Sequence, residues 1–569
     1  MAEDTEAAAT VAQIIVDSID AAGVRVLFGV PGAKIDAIFD TLTDHPEIKL
    51  IVARHEQNAA MMAAGVGRIT GIPGVCVATS GPGASNLATG LATANTEGDP
   101  VVAIIGSVPR LMNTKRTHQS MKALEILGPT TKSATNIDVE DQAAEVILAA
   151  FRTATASPKG ATVISVPADV AKGKSKILAF PGSAFASPAL GPAPLNRLDE
   201  VARKIEAARL PVLFLGARAS SPKVVAAVRQ LLTKFALPTV ETFQAAGAVS
   251  QELKHLFFGR VGLFRNQVGD RLLARSDLVL TVGYDPIEYD ANSWNPKGEA
   301  DIVHIDYSSS DYGKYYHPST ELLGSIVENL TYLAHNLRSE PLSSSSNAGV
   351  DSPFCTDLRK EFYAWQQLPQ VTRTSGLVHP LFFITKLQQR VAKDTTVTVD
   401  VGTVYIYMMR FFFAYEPRRL LCSDGQQTLG VGLPWAIAAS LTQDPPCSEK
   451  VVSLSGDGGF MFSSQELSTA VQQGCNITHF IWNDGAYNMV QFQEELKYGR
   501  SSGVKLGGVD FVKFAEAFGA KGFRVNDASE LEKVMDEALA YRGVSLVDIA
   551  IDYSSNRDLA QHVIEDEWN

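Results

Sequence analysis

Short, almost continuously apolar segments alternate with helical patterns along the whole chain, and this alternation constrains the fold more than any other feature. The candidate strands cover residues 24–28, 75–79, 101–105, 211–215, 278–282, 302–305, 397–399, 451–455 and 478–481. Apolar strands separated by helices are typical of parallel sheets that helices cover on both faces. The sequence therefore predicts an α/β protein built from doubly wound parallel sheets, in which ligands bind beyond the carboxyl ends of the strands.

Two segments rich in Pro, Ala, Gly and Ser interrupt the alternation, at residues 181–195 and 338–353. Both lack periodic apolar residues, and their composition is typical of linkers. They divide the chain into a predicted N-terminal domain at 1–180, a central domain at 196–337 and a C-terminal domain at 354–569. Each piece has an ordinary domain size.

The composition excludes several classes of protein. The 569 residues include 62 acidic and 50 basic side chains, and the resulting net charge of −12 argues against a nucleic-acid binder. The five cysteines are scattered without a CxxC pair, which supports neither a disulfide framework nor a zinc site. The acidic N-terminus lacks a secretory pattern and no long apolar window predicts a membrane span, so we expect a cytoplasmic protein with no membrane partner.

The strongest candidate site begins where the predicted strand at 451–455 runs into the glycine-rich turn at 456–459, which contains Asp457. Glycines at such a turn let the backbone approach a ligand closely. Ser463 and Glu466 then have the spacing of a capping box, which predicts a helix start at which free amides could face an anion.

A second acidic residue, Asp484, follows the next predicted strand at 478–481. A right-handed strand–helix–strand unit brings Asp457 and Asp484 to the same edge of one sheet. Neighbouring strands lie about 4.8 Å apart, so both carboxylates can reach one ion. Mg²⁺ completes its oxygen shell with phosphate and water, and the pattern therefore predicts a Mg²⁺ and diphosphate site.

Glu56 is a candidate acid because it lies between an apolar strand at 48–52 and the helical segment at 57–68. By its position alone, Glu56 is better explained as a helix-start glutamate that the helix dipole favours. Glu56 lies in the segment RHEQNAA at 54–60, which is one of several motifs that have to be interpreted together.

Many ordered motifs resemble those of one enzyme family. They include FGVPGAKID (28–36), RHEQNAA (54–60), TSGPGASNLATG (79–90), NTEGDPVV (95–102), THQS (117–120), GYDPIEY (283–289), GQQTLGVGLPWAI (425–437), SGDGGF (455–460) and YNMVQFQEELKYGR (487–500). The chain resembles the thiamine-diphosphate enzymes over nearly its whole length, and within them the catabolic, FAD-independent acetolactate synthases. The resemblance implies three domains (pyrimidine-binding, central and diphosphate-binding) and the condensation of two pyruvate molecules to 2-acetolactate with release of CO₂.

The resemblance also implies roles for individual residues. Glu56 would hydrogen-bond the pyrimidine N1′ of the cofactor and so promote the imino tautomer that activates it. Asp457, Asp484 and the backbone oxygen of Ala486 would hold Mg²⁺. The remaining implied cofactor contacts are Pro31, Gly32, Pro82, Asn86, Thr403, Gln427, Leu429, Gly458, Gly459, Tyr487, Asn488 and Met489.

Three further residues are implied on the substrate side. Gln119, in THQS, would face the substrate, and Lys34 would attract its carboxylate. Gln493 stands where biosynthetic relatives have a Trp that favours 2-ketobutyrate. One methylene in a hydrophobic pocket is worth roughly 1–3 kcal/mol of discrimination between substrates. Losing that Trp would therefore remove most of the preference for 2-ketobutyrate. We therefore expect pyruvate as both donor and acceptor.

Departures from the relatives define the alternatives. An adjacent His–His pair, typical of pyruvate decarboxylases, is missing, since Gln119 follows His118. The RFDDR-like stretch of FAD-binding synthases is replaced by residues 284–289, so FAD is not expected, and neither is a regulatory subunit. A biosynthetic acetohydroxyacid synthase and a pyruvate decarboxylase-like or oxidase-like enzyme remain alternatives. In this family Glu56 of one subunit serves the cofactor of another, which implies a dimer or tetramer.

Overall fold

A computed structural model describes residues 8–337, 349–366 and 376–559 of the chain. It contains three six-stranded sheets, one in each predicted domain, and every pair of neighbouring strands in them is parallel. Helices cover both faces, as expected for sheets whose strands are apolar throughout. The predicted α/β class with three doubly wound parallel sheets is confirmed.

The N-terminal domain is built around a sheet whose strands pair in the spatial order Lys49–Val52, Val26–Gly29, Gly74–Ala78, Val101–Ser107, Ala161–Pro167 and Ser133–Asn136. Its helices are Val11–Ala21, Asp36–Thr41, Glu56–Thr70, Pro82–Asn86, Ala88–Glu97, Ala123–Leu127, Ala143–Thr155 and Ala168–Lys172. A short antiparallel pair, Ala9–Thr10 with Lys174–Ser175, joins the start of the domain to its end.

The central sheet has the order Phe257–Val261, Thr239–Thr242, Pro211–Leu215, Leu278–Val282, Ile302–Asp306 and Thr320–Leu323. The helices around it are Leu195–Ala207, Pro222–Lys234, Val268–Arg275, Ala291–Trp294, Ile326–Asn336 and Pro353–Trp365. The last of these corrects an expectation, because it lies within the predicted C-terminal domain (354–569) but packs through Cys355, Leu358 and Phe362 into the central core.

The two predicted linkers differ in the structure. Residues 181–195 run from the N-terminal to the central domain: Phe185 meets Phe151 edge to face with 5.5 Å between the ring centroids, and the Ala193 amide donates to Asn329 Oδ1 of the central domain at 2.8 Å. In the linker predicted at 338–353, residues 338–348 lie outside the described residues, and Val350 belongs to the central core. Val350 therefore attaches the described end of the second segment to the domain that precedes it.

The C-terminal sheet has the order Leu420–Leu421, Val397–Val399, Val451–Gly456, Ile477–Asn483, Ser545–Ala550 and Lys521–Val525. Its helices are Pro380–Gln388, Thr403–Phe411, Gly432–Leu441, Asp457–Phe460, Glu466–Gln472, Asn488–Tyr498, Phe511–Ala517, Leu531–Ala540 and Asn556–Leu559. Throughout the described ranges, we find no helix with the length and apolar character needed to cross a membrane.

The N-terminal and C-terminal domains share one hydrophobic core. Helix Glu56–Thr70 packs on helix Gly432–Leu441, and buried residues of both domains form a single cluster. Gly65 permits the approach, since a Cβ atom there would lie 2.8 Å from the Cβ of Ala438. This contact positions the turn before Glu56 next to the C-terminal sheet.

Candidate active site

The two acidic residues after the C-terminal strands lie at one sheet edge, as the sequence predicts. Strands Val451–Gly456 and Ile477–Asn483 are parallel neighbours, and Gly456 pairs with Trp482. Asp457 follows the first strand directly and Asp484 follows the second. The carboxyl ends of the strands therefore bring both side chains to the same place.

The electrostatics of this pair suit a divalent cation. Burial, together with the smaller effect of the nearby Asp484, raises the pKa of Asp457 to about 6, against hydrogen bonds from the backbone of Gly458 and Gly485 that lower it. The pKa of Asp484 is also raised by burial. Two carboxylates held close together in a partly buried site repel each other until a cation neutralises them.

The donor set fits Mg²⁺ rather than a metal that needs a full protein shell. Within residues 8–337, 349–366 and 376–559 no group of three or more His, Cys, Asp and Glu side chains could hold a metal ion. Asp457 and Asp484 would supply two oxygens, and the buried Ala486 next to them carries a backbone carbonyl. Mg²⁺ commonly takes few protein ligands and completes its shell with phosphate and water.

Three helices begin at this edge, each after a neighbouring strand: Thr403–Phe411, Asp457–Phe460 and Asn488–Tyr498. The starts are connected, because Thr403 Oγ1 donates to Asn488 Oδ1 at 2.9 Å and Asn488 Nδ2 donates to Asp484 Oδ2 at 2.6 Å. Helix N-termini carry unpaired amides and partial positive charge, so this edge suits a diphosphate.

The glycine-rich turn is tightly enclosed. A Cβ atom at Gly458 would lie 2.6 Å from the ring of Tyr487, so no larger residue fits there without displacing that ring. Gly459 lies against the carboxylate of Asp400. Tyr487 caps the start of helix Asn488–Tyr498, and the half-buried Met489 and Gln493 lie one helical turn apart on the same helix face.

Asp400 is a site residue that the sequence reasoning missed. It follows strand Val397–Val399, is 1% exposed, and accepts hydrogen bonds from the amides of Val401 and Gly430, both at 2.8 Å. Its Oδ2 is buried without a partner, and burial raises its pKa to about 7. The rule that site residues follow strand ends would have found it, since it follows the strand as directly as Asp457 does.

The predicted capping box at Ser463 and Glu466 does not form. Helix Glu466–Gln472 has no side-chain cap at its start, and Ser463 Oγ is buried without a hydrogen-bond partner. The Glu466 carboxylate instead accepts from the amides of Arg54 and His55, at 2.9 and 3.1 Å. Glu466 does not cap its own helix because its carboxylate binds these two amides of the N-terminal domain.

Glu466 therefore holds the turn that carries Glu56. It also accepts from Asn58 Nδ2 at 3.1 Å and from Thr469 Oγ1 at 2.6 Å, and it is fully buried. Glu56 is the first residue of helix Glu56–Thr70 and is 9% exposed. Its Oε2 accepts from Asn86 Nδ2 at 3.0 Å, a contact that joins two of the sequence-predicted residues.

The other predicted residues of the N-terminal domain surround Glu56 at the edge of their own sheet. Pro31 and Gly32 follow strand Val26–Gly29, and Pro82 begins the helix after strand Gly74–Ala78. Strand Val26–Gly29 lies between Gly74–Ala78 and Lys49–Val52, the strand that precedes Glu56. Pro31 is exposed and Gly32 lies against Thr79.

Gln119 lies over the end of the same sheet. Its backbone adopts a positive φ of 61°, and its side-chain oxygen accepts from Ser80 Oγ at 3.4 Å. Lys34 is half-buried in the loop after Gly32, with its carbonyl against Gly106. Both side chains thus lie near the edge that carries Glu56.

The loop between strand Leu420–Leu421 and helix Gly432–Leu441 carries Gln427 and Leu429. Gln427 is exposed with a positive φ of 47°, and Leu429 is half-buried. Gly430 lies against Phe462, which is itself 45% exposed. This part of the C-terminal edge presents apolar groups to the outside of the chain.

Glu97 anchors this loop, and the sequence reasoning gave it no role although it lies in the motif NTEGDPVV. The buried carboxylate accepts from Ser423 Oγ at 2.7 Å and from the amides of residues 424–426 at 3.1–3.2 Å. Gln244 of the central domain donates to it as well. Glu97 thus contacts residues of all three domains. Its partners are far apart along the chain, so the sequence pattern gives no sign of this role.

Comparison with known proteins shows which family the chain belongs to. Three profiles of thiamine pyrophosphate enzymes match: the N-terminal TPP binding domain at residues 9–126, the central domain at 198–333 and the C-terminal TPP binding domain at 400–549. The chain is 46% identical over 558 residues to an acetolactate synthase of Bacillus subtilis, covering 98% of this chain and 96% of that protein. It is 43% identical over 545 residues to a catabolic acetolactate synthase of Raoultella terrigena, with 96% and 95% covered.

A more distant relative is also informative. The chain is 30% identical over 558 residues to a probable acetolactate synthase large subunit of Methanocaldococcus jannaschii, covering 95% of this chain and 92% of that protein. Similarity therefore extends over nearly the full length of relatives that share one named activity.

Proposed function

The chain belongs to the acetolactate synthases of the thiamine pyrophosphate enzyme family, and we propose that it condenses two molecules of pyruvate to 2-acetolactate with release of CO₂. The single observation that carries this proposal is the edge at which Asp457, Asp484 and the starts of three helices converge. Thiamine diphosphate, when bound, supplies an electron sink for decarboxylation and carbon–carbon bond formation.

At the diphosphate end, Asp457, Asp484 and the Ala486 carbonyl would hold Mg²⁺. Thr403, Gly458, Gly459 and Asn488 would line the phosphates, since they form the connected helix starts and the tight turn. Asn488 would support the metal indirectly, because its side-chain amide donates a hydrogen bond to Asp484.

At the pyrimidine end, Glu56 would hold a proton at the ring nitrogen. Asn86 orients its carboxylate and Glu466 fixes the backbone before it. Pro31, Gly32 and Pro82 would approach the ring from the same sheet edge. Gln427, Leu429, Tyr487 and Met489 would support the cofactor from the C-terminal side.

On the substrate side, we assign Gln119 and Lys34 to the carboxylate and carbonyl of pyruvate. Gln493 would face the acceptor, since it lies one turn beyond Met489 on the helix that begins at the site. A polar side chain there leaves no apolar wall for the extra methylene of 2-ketobutyrate.

We propose that the enzyme works without FAD and without a regulatory subunit. In the crevice at the carboxyl end of the central sheet, the Glu288 carboxyl accepts from the Ala217 amide at 2.8 Å and from Thr242 Oγ1 at 2.7 Å. Arg218 is paired there with Asp285 and Asp306, at 2.7 and 2.8 Å. A flavin diphosphate would need the Ala217 amide and the Arg218 guanidinium as donors, and both are already bound to carboxylates of the chain.

Product identification tests the function. Purified protein is incubated with ¹³C-labelled pyruvate, thiamine diphosphate and Mg²⁺, with no FAD added, and the products are followed by NMR. Acetolactate and CO₂ are expected. Acetaldehyde as the main product, or no turnover until FAD is added, would instead support a decarboxylase-like or a biosynthetic synthase.

We also propose that Glu56 of one subunit completes the site of another. In support, the hydrogen bond of Glu56 runs within the N-terminal domain, and Met461 and Phe462 beyond the turn at Asp457 are 43% and 45% exposed. Co-folded Glu56→Gln and Asp457→Asn chains test this, because a mixed dimer then contains one intact site. Recovery of activity is expected, and a mixed dimer as inactive as either parent would contradict the arrangement.

A further inference from the structure

Two cysteines meet at the amino-terminal edge of the C-terminal sheet, opposite the candidate active site. Cys447 lies in the loop before strand Val451–Gly456, and Cys475 lies in the loop before strand Ile477–Asn483. These strands are parallel neighbours and Val451 pairs with Ile477. The two loops therefore reach the same edge although 28 positions separate the cysteines.

One residue, the buried Ser440, fixes both loops. The Cys447 amide donates to Ser440 O at 2.8 Å, and the Asn476 amide, next to Cys475, donates to Ser440 Oγ at 3.2 Å. The Cys447 thiol donates to Gln473 O at 3.8 Å, and Cys447 packs against the hydrophobic cluster that contains Cys475. Their proximity is thus set by the backbone on both sides.

The two thiols differ in access. Cys447 is half-buried and lines an open groove of about 510 Å³, whereas Cys475 is fully buried behind it. Lys49 and Arg542 line the same groove. A partly accessible thiol beside cations, next to a second thiol, is the arrangement of an attacking and a resolving cysteine.

The pKa values of the two thiols also differ, and Cys447, the more accessible thiol, has the lower one. The hydrogen bond from Cys475, with smaller contributions from Ser440 and Lys49, lowers the pKa of Cys447. The hydrogen bond and burial raise the pKa of Cys475. Burial raises the pKa of the other three thiols, Cys76, Cys355 and Cys422, so Cys447 is the thiol that the surroundings favour as thiolate.

We propose that Cys447 is a peroxide-sensitive modification site that Cys475 resolves as an intramolecular disulfide. The Cys447 thiolate attacks one oxygen of a hydroperoxide, the O–O bond breaks, and Cys447 becomes a sulfenic acid while the leaving oxygen takes up a proton. The Cys475 sulfur then attacks the Cys447 sulfur, the S–O bond breaks, and water leaves. Two thiols are oxidised by two electrons and one peroxide is reduced to two hydroxyl products; with H₂O₂ both are water.

The test exposes the reduced full-length chain to a few equivalents of H₂O₂. We expect a mass loss of about 2 Da, two fewer thiols that react with Ellman's reagent in denaturant, and reversal by dithiothreitol. Peptide mapping should show a Cys447–Cys475 cross-link. Fragment spectra must separate Cys447 from Cys422, because both lie in the tryptic peptide 420–450.

Two variants test the separate roles of Cys447 and Cys475. Cys475→Ser should gain oxygen on Cys447 and show no mass loss, whereas Cys355→Ser, a buried control elsewhere, should still lose 2 Da. The proposal is overturned if the wild-type chain keeps all five thiols, or if a cross-link forms that does not contain both residues. The wild-type peptide map decides the question even if a variant fails to fold.

Discussion

Replacing Glu466 with alanine is expected to weaken the contact between the N-terminal and C-terminal domains. Its carboxylate accepts from the Arg54 amide, the His55 amide and Asn58 Nδ2, at 2.9–3.1 Å, and it is 0% exposed. A buried donor left without a partner costs about 1–3 kcal/mol, and water entering the gap recovers part of that, so we expect a loss of about 3–5 kcal/mol.

Scanning calorimetry and activity measure the effect. At about 2–4 °C per kcal/mol for a domain of 150–250 residues, a loss of that size corresponds to a fall in Tm of roughly 6–20 °C. Because Glu466 fixes the turn before Glu56, kcat should also fall while the protein remains folded at 25 °C. Glu466→Gln keeps an acceptor for the same donors, so its Tm should lie between those of the wild type and Glu466→Ala.

Ser463→Ala is the matched control. If Ser463 capped the helix, its loss would cost about 1 kcal/mol. Its hydroxyl has no partner, so the change should be within about 0.5 kcal/mol. The reasoning would be refuted if Glu466→Ala melted within about 1 °C of the wild type, or if Ser463→Ala were the more damaging of the two.

Further predictions concern the site and the central domain. Glu56→Gln should lower turnover by about 10²–10⁴-fold with little change in Tm, and near-wild-type turnover would exclude its proton role. Asp484→Asn should keep activity at raised Mg²⁺, since an amide oxygen still coordinates, while Asp484→Ala should lose it; equal activities would remove Asp484 from the metal site. Gln493→Trp should raise the preference for 2-ketobutyrate over pyruvate by about 10–200-fold in competition assays, and an unchanged ratio would mean that Gln493 does not face the acceptor. Burial raises the pKa of Glu288 to about 8, so the folded chain keeps a proton that the unfolded chain releases above about pH 4.5, and stability should fall by up to about 1.4 kcal/mol per pH unit as the pH rises between these values. Glu288→Gln should flatten that part of the Tm-against-pH curve, and a curve identical to the wild type would contradict the pKa.

The sheets and the residues at their edges follow from the order of residues along the chain. Strand Pro211–Leu215 was predicted to the residue, and strand 478–481 within two residues of the observed Ile477–Asn483. Such patterns are local: burial on both faces makes a strand apolar, and parallel strands bring the residues after them to one edge. The order of residues along the chain is therefore enough to place Asp457 and Asp484 together.

The partners of the buried carboxylates, in contrast, depend on how whole domains pack together. Glu466 has the spacing of a capping box, yet it binds amides more than 400 positions away, and Glu97 binds a loop more than 320 positions away. Helix Pro353–Trp365 likewise joins the central core rather than the domain that follows it. Periodicity and capping patterns report local structure, whereas a buried carboxylate binds the unpaired donors that the packing of whole domains brings to it.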